Sequence, residues 1–410
     1  MTVSPASEID STYAWSRLGV SLLLSTIGGV GMWCLAVAIP ALQAEFGALR
    51  GQVSLAYTGT MLGFGVGGIL LGRLADARGI VPSLMLGALA LGLGFVAAAS
   101  ATDLWLFGAA HAALIGFGTA ATFGPLVADI SHWFFRRRGI AVAICASGNY
   151  LAGAIWPPVV EYFIREVGWR ETYFGIGVFC LATSLPLALA LRRRLKSHTE
   201  AAQATAGATP ESALGLSKGQ LQTLLAIAGL ACCVAMSMPQ VHIVAYCVDL
   251  GYGVARGAEM LAIMLALGIV SRVGSGWIAD RIGGLKTLLL GSVLQGTSLA
   301  FYLGFDGLAS LYLISALFGL VQGGIVPSYA IVVREYFPAA EAGARVGIAI
   351  FATLIGMALG GWMAGEIFDL TGSYRLAFLN GVLWNLLNGA VAYWLIRLAL
   401  RRRTVAAPAL

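Results

Sequence analysis

Twelve long apolar stretches constrain the fold of this chain more than any other feature. A helix needs about 20 predominantly apolar residues to cross the hydrocarbon core of a bilayer, and each stretch has at least that length. Charged residues make up 11% of the 410 residues, against about 25% in soluble domains. The sequence therefore predicts an all-α membrane protein with twelve transmembrane helices. The predicted helices span 18–43, 52–72, 80–100, 104–131, 139–162, 171–191, 219–247, 257–279, 285–305, 308–333, 345–368 and 376–399.

One long polar stretch, rich in Ala, Ser and Thr, separates the sixth predicted helix from the seventh. A stretch of this composition is typical of a linker. The expected organisation is two six-helix bundles joined by this linker. Its parts are an N-terminal tail (1–17), the first bundle (18–191), the linker (192–218), the second bundle (219–399) and a C-terminal tail (400–410).

The Lys and Arg residues lie mostly at one set of helix ends, which we call the basic face; the other set is the opposite face. The basic face holds 19 of the 25 basic residues: Arg17, Arg73, Arg78, Arg136, Arg137, Arg138, Arg192, Arg193, Arg194, Lys196, Lys218, Arg281, Lys286, Arg334, Arg345, Arg397, Arg401, Arg402 and Arg403. The positive-inside rule predicts that this face, both termini and the linker are cytoplasmic. The basic residues thus serve the lipid bilayer as topological anchors, and no nucleic-acid partner is expected.

The two halves of the chain repeat each other. GRLADARG (72–79) returns as GWIADRIG (276–283), and Pro125 and Phe135 return at the same separation as Pro327 and Phe337. Two pseudo-symmetric six-helix repeats are the sequence mark of transporters whose site lies between the halves near the membrane midplane.

A lone arginine, Arg272, lies in the otherwise uncharged segment 260–277. A charge near the centre of a transmembrane helix costs about 2.5–3.5 kcal/mol on insertion scales and usually marks a functional site. The favoured interpretation is that Arg272 faces a watery cavity and binds an anion. The alternative is a buried carboxylate partner on a neighbouring helix, although no apolar segment offers a mid-membrane Asp or Glu.

Other kinds of chemistry find no support in the sequence. The six cysteines all lie in apolar segments without metal-ligand spacing, and the GxGxxG pattern at 63–68 lies inside an apolar span with no preceding strand. Walker A, HExxH and GxSxG motifs are missing. We therefore expect no enzyme activity, no cofactor and no metal. A membrane enzyme or a sensor would need a catalytic cluster or an appended soluble domain, and neither is visible.

The paired loop motifs resemble those of the major facilitator superfamily, over nearly the whole chain. In that superfamily, charges at these positions form a cytoplasmic latch that closes when the transporter faces outward. The resemblance implies that Arg78 lies within reach of Asp129 at the end of the fourth helix. The alternative role of these charges is topology and solubility alone. The implied gate residues are Asp76, Arg78, Asp129, Asp280 and Arg281.

Within the superfamily, the chain resembles the monocarboxylate transporters and the related oxalate/formate antiporters, in particular bacterial members. Arg272 stands four residues before Gly276, GlyTrpArg occupies 168–170, and DLTGSYR occupies 369–375. The resemblance implies that Arg272 binds the substrate carboxylate. A guanidinium suits this role because its planar fork binds a carboxylate through two parallel hydrogen bonds and always stays charged.

Three departures from that group restrict the substrate. The animal carriers have a lysine in the first helix and an aspartate four residues before the arginine; this chain has no lysine in 33–43 and Gly268 at the second position. The oxalate carrier has a second intramembrane cation in helix 11, and 346–363 contains none. One cation neutralises one carboxylate, and an unpaired second charge costs several kcal/mol in a low-dielectric cavity. The chain therefore favours monoanions.

Further residues are candidates for the cavity. His242 could bind the substrate or carry a coupled proton near Arg272, since imidazole titrates near neutral pH; the alternative is a neutral histidine hydrogen-bonded to backbone. The remaining candidates are more often helix-packing residues than ligand contacts. They are Asn149, Phe123, Gln322 and Tyr329.

The sequence thus predicts a monomeric, multi-pass transporter of the bacterial inner membrane with both termini cytoplasmic. Its expected substrates are small monocarboxylates such as lactate, pyruvate or acetate, moved by alternating access, with the proton as the expected coupling ion. The alternatives are an exporter of amphipathic drugs, which an aromatic, acid-lined cavity would favour, and an organic-anion antiporter.

Overall fold

The computed structural model describes residues 9–193 and 214–406, which form twelve helices long and apolar enough to cross a membrane. The predicted all-helical membrane fold is confirmed. The helices are α1 (Thr12–Phe46), α2 (Arg50–Arg78), α3 (Ile80–Ala99), α4 (Leu104–Trp133), α5 (Arg138–Val167), α6 (Trp169–Ala190), α7 (Lys218–Asp249), α8 (Gly253–Ile282), α9 (Gly284–Gly304), α10 (Leu308–Tyr336), α11 (Ala339–Thr371) and α12 (Tyr374–Ala406).

Capping side chains set helix ends that hydropathy alone misplaces. Ser11 Oγ accepts a hydrogen bond from the Ala14 amide at 3.2 Å, so α1 begins at Thr12, inside the segment expected to be the N-terminal tail. Ser217 and Gln220 cap the start of α7 in the same way. The last helix continues to Ala406, beyond the expected boundary at 399. Most of the expected linker (192–218) lies outside the described residues.

The repeated loop motifs fold alike in the two halves. α2 ends at Gly79 with φ 85° and ψ 170°, and α8 ends at Gly283 with φ 84° and ψ 162°. This backbone conformation favours glycine because it carries no Cβ. Each glycine amide donates to the carbonyl four residues earlier, at 2.8 Å to Ala75 and 2.9 Å to Ala279. The repeat in the sequence is therefore a repeat in the structure.

α4 and α10 are each interrupted at matching points. Regular helix stops at Ala121 and resumes at Gly124 in α4; in α10 it stops at Gln322 and resumes at Ile325. Pro125 and Pro327 follow the two breaks, and proline disrupts the preceding turn because it has no N–H and its ring clashes with it. Backbone groups freed at membrane depth must be buried in protein or line a cavity. The breaks therefore supply polar backbone atoms to the protein interior.

Glycines let the helices approach closely within and between the halves. In the GxGxxG stretch, a Cβ at Gly63 would lie 1.9 Å from the carbonyl oxygen of Ala112, which supports helix packing as the role of this pattern. Between the halves, a Cβ at Gly365 of α11 would lie 2.8 Å from Cα of Gly51 in α2. α2 packs on α11 and α5 packs on α8, so these two contacts join the bundles.

Candidate functional site

Arg272 reaches across the boundary between the two halves. It lies on α8 of the second half, about 15 Å from the helix end at the basic face, at 1.5 Å per residue. Its Nη1 donates to the carbonyl oxygen of Ala146, on α5 of the first half, at 3.0 Å. Its Nε donates to the carbonyl oxygen of Gly323 in α10 at 3.4 Å. The side chain is half-buried, so it connects three helices without being sealed off.

The break in α10 makes the Gly323 carbonyl available to Arg272. A Cβ at Gly323 would lie 2.2 Å from the carbonyl oxygen of Gly268, and one at Gly324 would lie 1.8 Å from Ser275 Oγ. Only glycine at both positions permits α8 and α10 to cross this closely. The Gly323 N–H donates to Ser271 Oγ at 3.1 Å, so both backbone polar groups of Gly323 are hydrogen-bonded to α8.

Within residues 9–193 and 214–406, no acidic side chain forms an ion pair with Arg272. The guanidinium instead lies over the ring of Tyr150, with Cζ 4.5 Å from the ring centroid. Carbonyl dipoles and a ring face attract a cation but carry no net negative charge. The described residues therefore contain no buried carboxylate that pairs with Arg272, which was the alternative interpretation. The positive charge remains open to an anion.

Tyr150 is a contact that the sequence did not single out. Its ring lies against Gly268, where a Cβ would be 2.5 Å from Tyr150 Cε1. The ring thus takes the space above the position at which the animal carriers place an aspartate. The missing side chain at Gly268 was the signal in the sequence, although the sequence did not show what fills the gap.

Three polar side-chain atoms on α5, α7 and α10 have no hydrogen-bond partner among the described residues. Asn149 Oδ1, next to Tyr150 in α5, is one of them. The other two belong to Gln240 of α7 and Gln322 of α10, whose side chains bond each other at 2.7 Å and each leave one atom unpaired. Asn149 and Gln322 were predicted to line the cavity, and Gln240 was not. Unpaired buried polar atoms are costly and usually await a ligand or water.

Phe123 and Tyr329 have different surroundings from each other. Phe123 lies at the break in α4, half-buried, with its ring 6.2 Å from that of Phe64. Tyr329 is buried inside the second half, where its hydroxyl donates to Asn388 Oδ1 at 2.8 Å. The structure therefore leaves Phe123 a partly accessible ring, whereas the polar atom of Tyr329 is already engaged in helix packing.

His242 does not contact Arg272. Helix rise places the two residues about 20 Å apart along the bundle, because His242 lies near the opposite-face end of α7. Its Nε2 lies 2.7 Å from the carbonyl oxygen of Gly361, so Nε2 carries the proton and donates. Its Nδ1 then accepts from the Tyr374 hydroxyl at 2.8 Å. The expected direct pairing of a protonated His242 with substrate-bound Arg272 is absent from this conformation.

An ion pair between the halves lies beyond His242, at the opposite face. Arg50 of α2 donates to both carboxylate oxygens of Asp249 in α7, at 2.5 and 3.1 Å, and its Nη1 donates to the Tyr374 hydroxyl at 3.2 Å. The amides of Arg50 and Gly51 donate to the Asp369 carboxylate at 3.0 and 2.6 Å. A continuous set of hydrogen bonds therefore joins His242 to this contact between the halves.

The basic face has ion pairs only within each half among the described residues. Asp129 pairs with Arg17 of α1, whose Nε donates to it at 2.8 Å, so the expected Arg78–Asp129 contact is not formed here. Asp76, Arg78, Asp280 and Arg281 are exposed. Thus the described residues hold the halves together by charge at the opposite face and leave the predicted gate residues free of such contacts.

Comparison with known proteins agrees with this architecture. The family model of the major facilitator superfamily matches residues 21–310 and 274–409. Similar proteins include monocarboxylate transporter 13 of Rattus norvegicus, 27% identical over 320 residues (75% of this chain and 71% of that protein). Another is monocarboxylate transporter 12 of Mus musculus, 25% identical over 419 residues (92% and 84%). A third is the agnestins efflux protein AgnL12 of Paecilomyces divaricatus, 24% identical (80% and 74%).

Solved structures share the fold. A bacterial homologue of the human lysosomal transporter Spinster, in an inward-facing and unoccupied conformation, superposes with a TM-score of 0.75 at 15% identity, covering 97% of this chain and 99% of that one. A nucleoside transporter superposes with a TM-score of 0.71 at 14% identity, covering 97% and 100%. With twelve helices, two matching halves and a family model that spans both, this chain belongs to the major facilitator superfamily of transporters.

Proposed function

We propose that this transporter moves small monocarboxylates of the lactate, pyruvate or acetate type across a bacterial inner membrane by alternating access, coupled to protons. Arg272 carries the proposal: it is an intramembrane cation at the boundary of the halves, with no acidic partner among the described residues. The names of relatives such as monocarboxylate transporters 12 and 13 support the substrate class.

Substrate binding at Arg272 links recognition to movement of the halves. A carboxylate forms stronger, charge-assisted hydrogen bonds with a guanidinium than a neutral carbonyl does. An entering carboxylate therefore displaces the Nη1 bond to Ala146, which joins α8 of the second half to α5 of the first. Loss of this bridge lets the halves rearrange around the bound anion.

The basic face is proposed to be the cytoplasmic one, following the distribution of Lys and Arg. The pair of Arg50 and Asp249 then closes the outer side, and the exposed Asp76, Arg78, Asp280 and Arg281 belong to an inner gate that is open in this conformation. When the transporter faces outward, these residues would form the contacts that are missing here.

Uptake of labelled acids tests the proposed function. The full chain, reconstituted in proteoliposomes, is expected to accumulate lactate, pyruvate or acetate, and to do so more strongly with the lumen alkaline relative to the outside. Empty liposomes give the background of passive diffusion of the protonated acids. Saturable uptake of none of the three would overturn the substrate class, and saturable uptake that ignores the pH gradient would overturn proton coupling alone.

Charge is expected to select among substrates. Succinate or oxalate at pH 7 should inhibit lactate uptake at least about tenfold more weakly than lactate does, because a second carboxylate finds no cation and stays unpaired at a cost of several kcal/mol. The measurement is the inhibition constant of each acid in the same vesicles. Equal inhibition by oxalate and lactate at pH 7 contradicts this prediction.

Export of a larger organic anion is the second candidate, since AgnL12, a relative of similar identity, is named an efflux protein. Export predicts that substrate moves out of the cell against its gradient. Energised everted membrane vesicles, whose cytoplasmic face lies outside and whose lumen is acid, distinguish export from proton-coupled uptake. They accumulate substrate above its outside concentration only if the transporter exports.

A further inference from the structure

Two equivalent acids lie at the opposite-face ends of equivalent helices. Glu45 is the last residue but one of α1, and Asp249 is the last residue of α7. They are 204 residues apart, which is also the offset between the two loop motifs that begin at Gly72 and Gly276. The internal repeat therefore makes Asp249 the counterpart of Glu45 in the second half.

The repeat also matches an arginine in each half. Arg170 is the second residue of α6, and Arg375 is the second residue of α12. An aromatic residue begins each of these helices, Trp169 in α6 and Tyr374 in α12. Each half therefore holds one acid and one arginine at equivalent places of the opposite face.

In the first half, the acid and the arginine pair with each other. Arg170 Nε donates to Glu45 Oε1 at 2.8 Å, and Trp169 Nε1 donates to the other carboxylate oxygen. Arg170 Nη1 donates to the carbonyl oxygen of Ala99, at the end of α3, at 2.7 Å. All these contacts lie within one half, so they do not depend on how the two halves are placed.

In the second half, the equivalent acid and arginine have other partners. Asp249 is bound by Arg50 of the first half. Arg375 Nη2 donates to Asp306, in the loop after α9, at 3.0 Å, and the two side chains are 60% and 51% exposed. An ion pair this exposed contributes little to stability. Arg375 can therefore leave Asp306 at small cost.

The start of α12 lies beside the end of α7. The ring of Tyr374 packs against that of Tyr246, one turn before Asp249, with ring centroids 5.4 Å apart. One nitrogen of Arg50, Nη1, donates both to the Asp249 carboxylate, at 2.5 Å, and to the Tyr374 hydroxyl, at 3.2 Å. Arg375 follows Tyr374 directly, so the arginine of the repeat is placed close to the acid that it does not bind here.

Opening of the opposite face separates Arg50 from Asp249, because they belong to different halves. Arg50 keeps a partner in its own half, since its Nε donates to Gln43 Oε1 at 3.0 Å. Asp249 loses its arginine. The first half shows which partner the repeat provides for an acid at this place, namely the arginine at the start of the last helix of the same half.

We infer that Asp249 exchanges partners during transport: it binds Arg50 when the opposite face is closed and Arg375 when that face is open. The inference rests on the alternating access of the proposed function and not on the identity of the substrate. It gives the second half, in the open state, the pairing that the first half already has.

The distance between the halves at the opposite face measures how often that face is open. Leu106 and Ala309 lie in the first turns of α4 and α10, in different halves, and both are exposed. Cysteines introduced at these two positions carry spin labels, and the six native cysteines are buried. The full chain in lipid nanodiscs, at constant pH and without substrate, gives a longer label-to-label distance when the face is open.

Arg50→Gln breaks the present contact and is the background for the comparison. It should raise the ratio of open to closed protein at least about tenfold, because a charge-assisted hydrogen bond is lost. Adding Arg375→Gln should then lower this ratio about two- to fivefold, the range that exposed ion pairs give, because Asp249 loses its partner in the open state. If Arg50→Gln does not fold, Arg50→Lys, which lacks the planar fork, replaces it as the background.

Asp306→Asn is the matched control, because it breaks the bond between Arg375 and Asp306 from the other side. In the same background it should leave the ratio of open to closed protein unchanged or raise it, since Arg375 is then free to bind Asp249. Asp249→Asn checks the partner itself. Once Asp249 is an amide, Arg375→Gln should no longer change the ratio.

Three results would overturn the exchange. The ratio is unaffected by Arg375→Gln, or it falls equally with Asp306→Asn, which assigns the effect to the exposed bond within the second half. Alternatively, Arg50→Gln leaves the ratio unchanged, so that Asp249 has no exchange to make. Since the measurement uses no substrate, a failure to transport lactate, pyruvate or acetate rejects the proposed substrate class and leaves the exchange standing.

Discussion

Replacing Arg272 with alanine is expected to remove nearly all carboxylate transport while leaving the protein about as stable as the parent. Two charge-assisted hydrogen bonds to a carboxylate are together worth about 3 kcal/mol or more, which corresponds to a loss of about 100-fold or more in kcat/KM. Arg272→Lys keeps the charge but not the planar fork, so it should recover only a small part of this loss.

The stability of the alanine variant distinguishes a ligand-binding arginine from a structural one. Removing one partner of a buried ion pair leaves the other charge unpaired, which costs about 3–5 kcal/mol. No acidic side chain pairs with Arg272 in the described part of the chain, so its removal strands no carboxylate. An uncharged side chain also removes the insertion penalty of about 2.5–3.5 kcal/mol at this depth. The carbonyl oxygens of Gly323 and Ala146 lose their donor at the same time, which offsets this gain. The unfolding temperature in detergent should therefore stay close to that of the parent.

Arg256→Ala serves as the control on the same helix. Arg256 is exposed and pairs with Glu259 one turn away, at 3.0 Å, at the opposite-face end of α8. This substitution removes one positive charge from α8 without touching the boundary of the halves, and transport should be near normal. A near-normal kcat/KM for Arg272→Ala, measured with properly inserted protein, shows that Arg272 does not bind the substrate.

Much of the fold was predictable because bilayer thickness dictates how long an apolar helix must be. Hydropathy could not place the start of α1, since Thr12 and Arg17 are polar and the signal is the cap made by Ser11. Nor could it show the breaks in α4 and α10, where Pro125 and Pro327 mark the positions but glycine packing fixes the geometry.

Sequence predicted a site residue when its own segment made it stand out. It did not predict residues whose role depends on how two helices pack together. Arg272 is conspicuous because it is the lone charge in its segment. Tyr150 and Gln240 become visible only when α5 and α7 are packed against α8 and α10. Arg17 was interpreted as a topological anchor. It pairs with Asp129, where Arg78 was expected, because the first turns of α1 pack beside α4.

The sequence also placed His242 wrongly, close to Arg272. Its position in α7 suggested a cavity residue, but depth in the membrane follows from counting residues to the helix end, and His242 lies toward the opposite face. Proton coupling through His242 therefore cannot act by direct contact with Arg272 in this conformation. If transport is coupled to protons as proposed, the hydrogen bonds from His242 through Tyr374 to Arg50 offer another connection to the contact between the halves.

Protonation of His242 is expected to weaken the closed opposite face. In the closed state Nε2 donates to Gly361 and Nδ1 accepts from Tyr374, so the imidazole is neutral. A proton on Nδ1 would face the Tyr374 hydroxyl hydrogen and add a second positive charge beside Arg50. The acidic groups around Arg50 are Asp249 and Asp369, which it bonds, and Glu366, which lies against Gly51. Falling pH should thus favour the state in which this face is open, where a proton and an anion enter together.

The variant His242→Gln is expected to lose this pH dependence and keep transport. The glutamine amide can donate to Gly361 and accept from Tyr374 as the neutral imidazole does, but it does not titrate. Lactate affinity should rise as pH falls in the parent and stay nearly flat in the variant, because only the parent has an imidazole that can take up the proton. Proton-driven accumulation in proteoliposomes should fall with it, while exchange of lactate without a pH gradient continues.

His111→Gln provides the comparison. His111 is the other fully buried histidine among residues 9–193 and 214–406, and it lies in the first half, where its Nδ1 is 3.0 Å from Thr60 Oγ1. Its substitution should preserve the pH profile, and Tyr374→Phe should flatten it, because the hydroxyl that connects His242 to Arg50 is then gone. A His242→Gln protein with the parent's full pH profile and accumulation assigns His242 to structure alone. The coupled proton must then travel with the substrate or through another group such as Asp129.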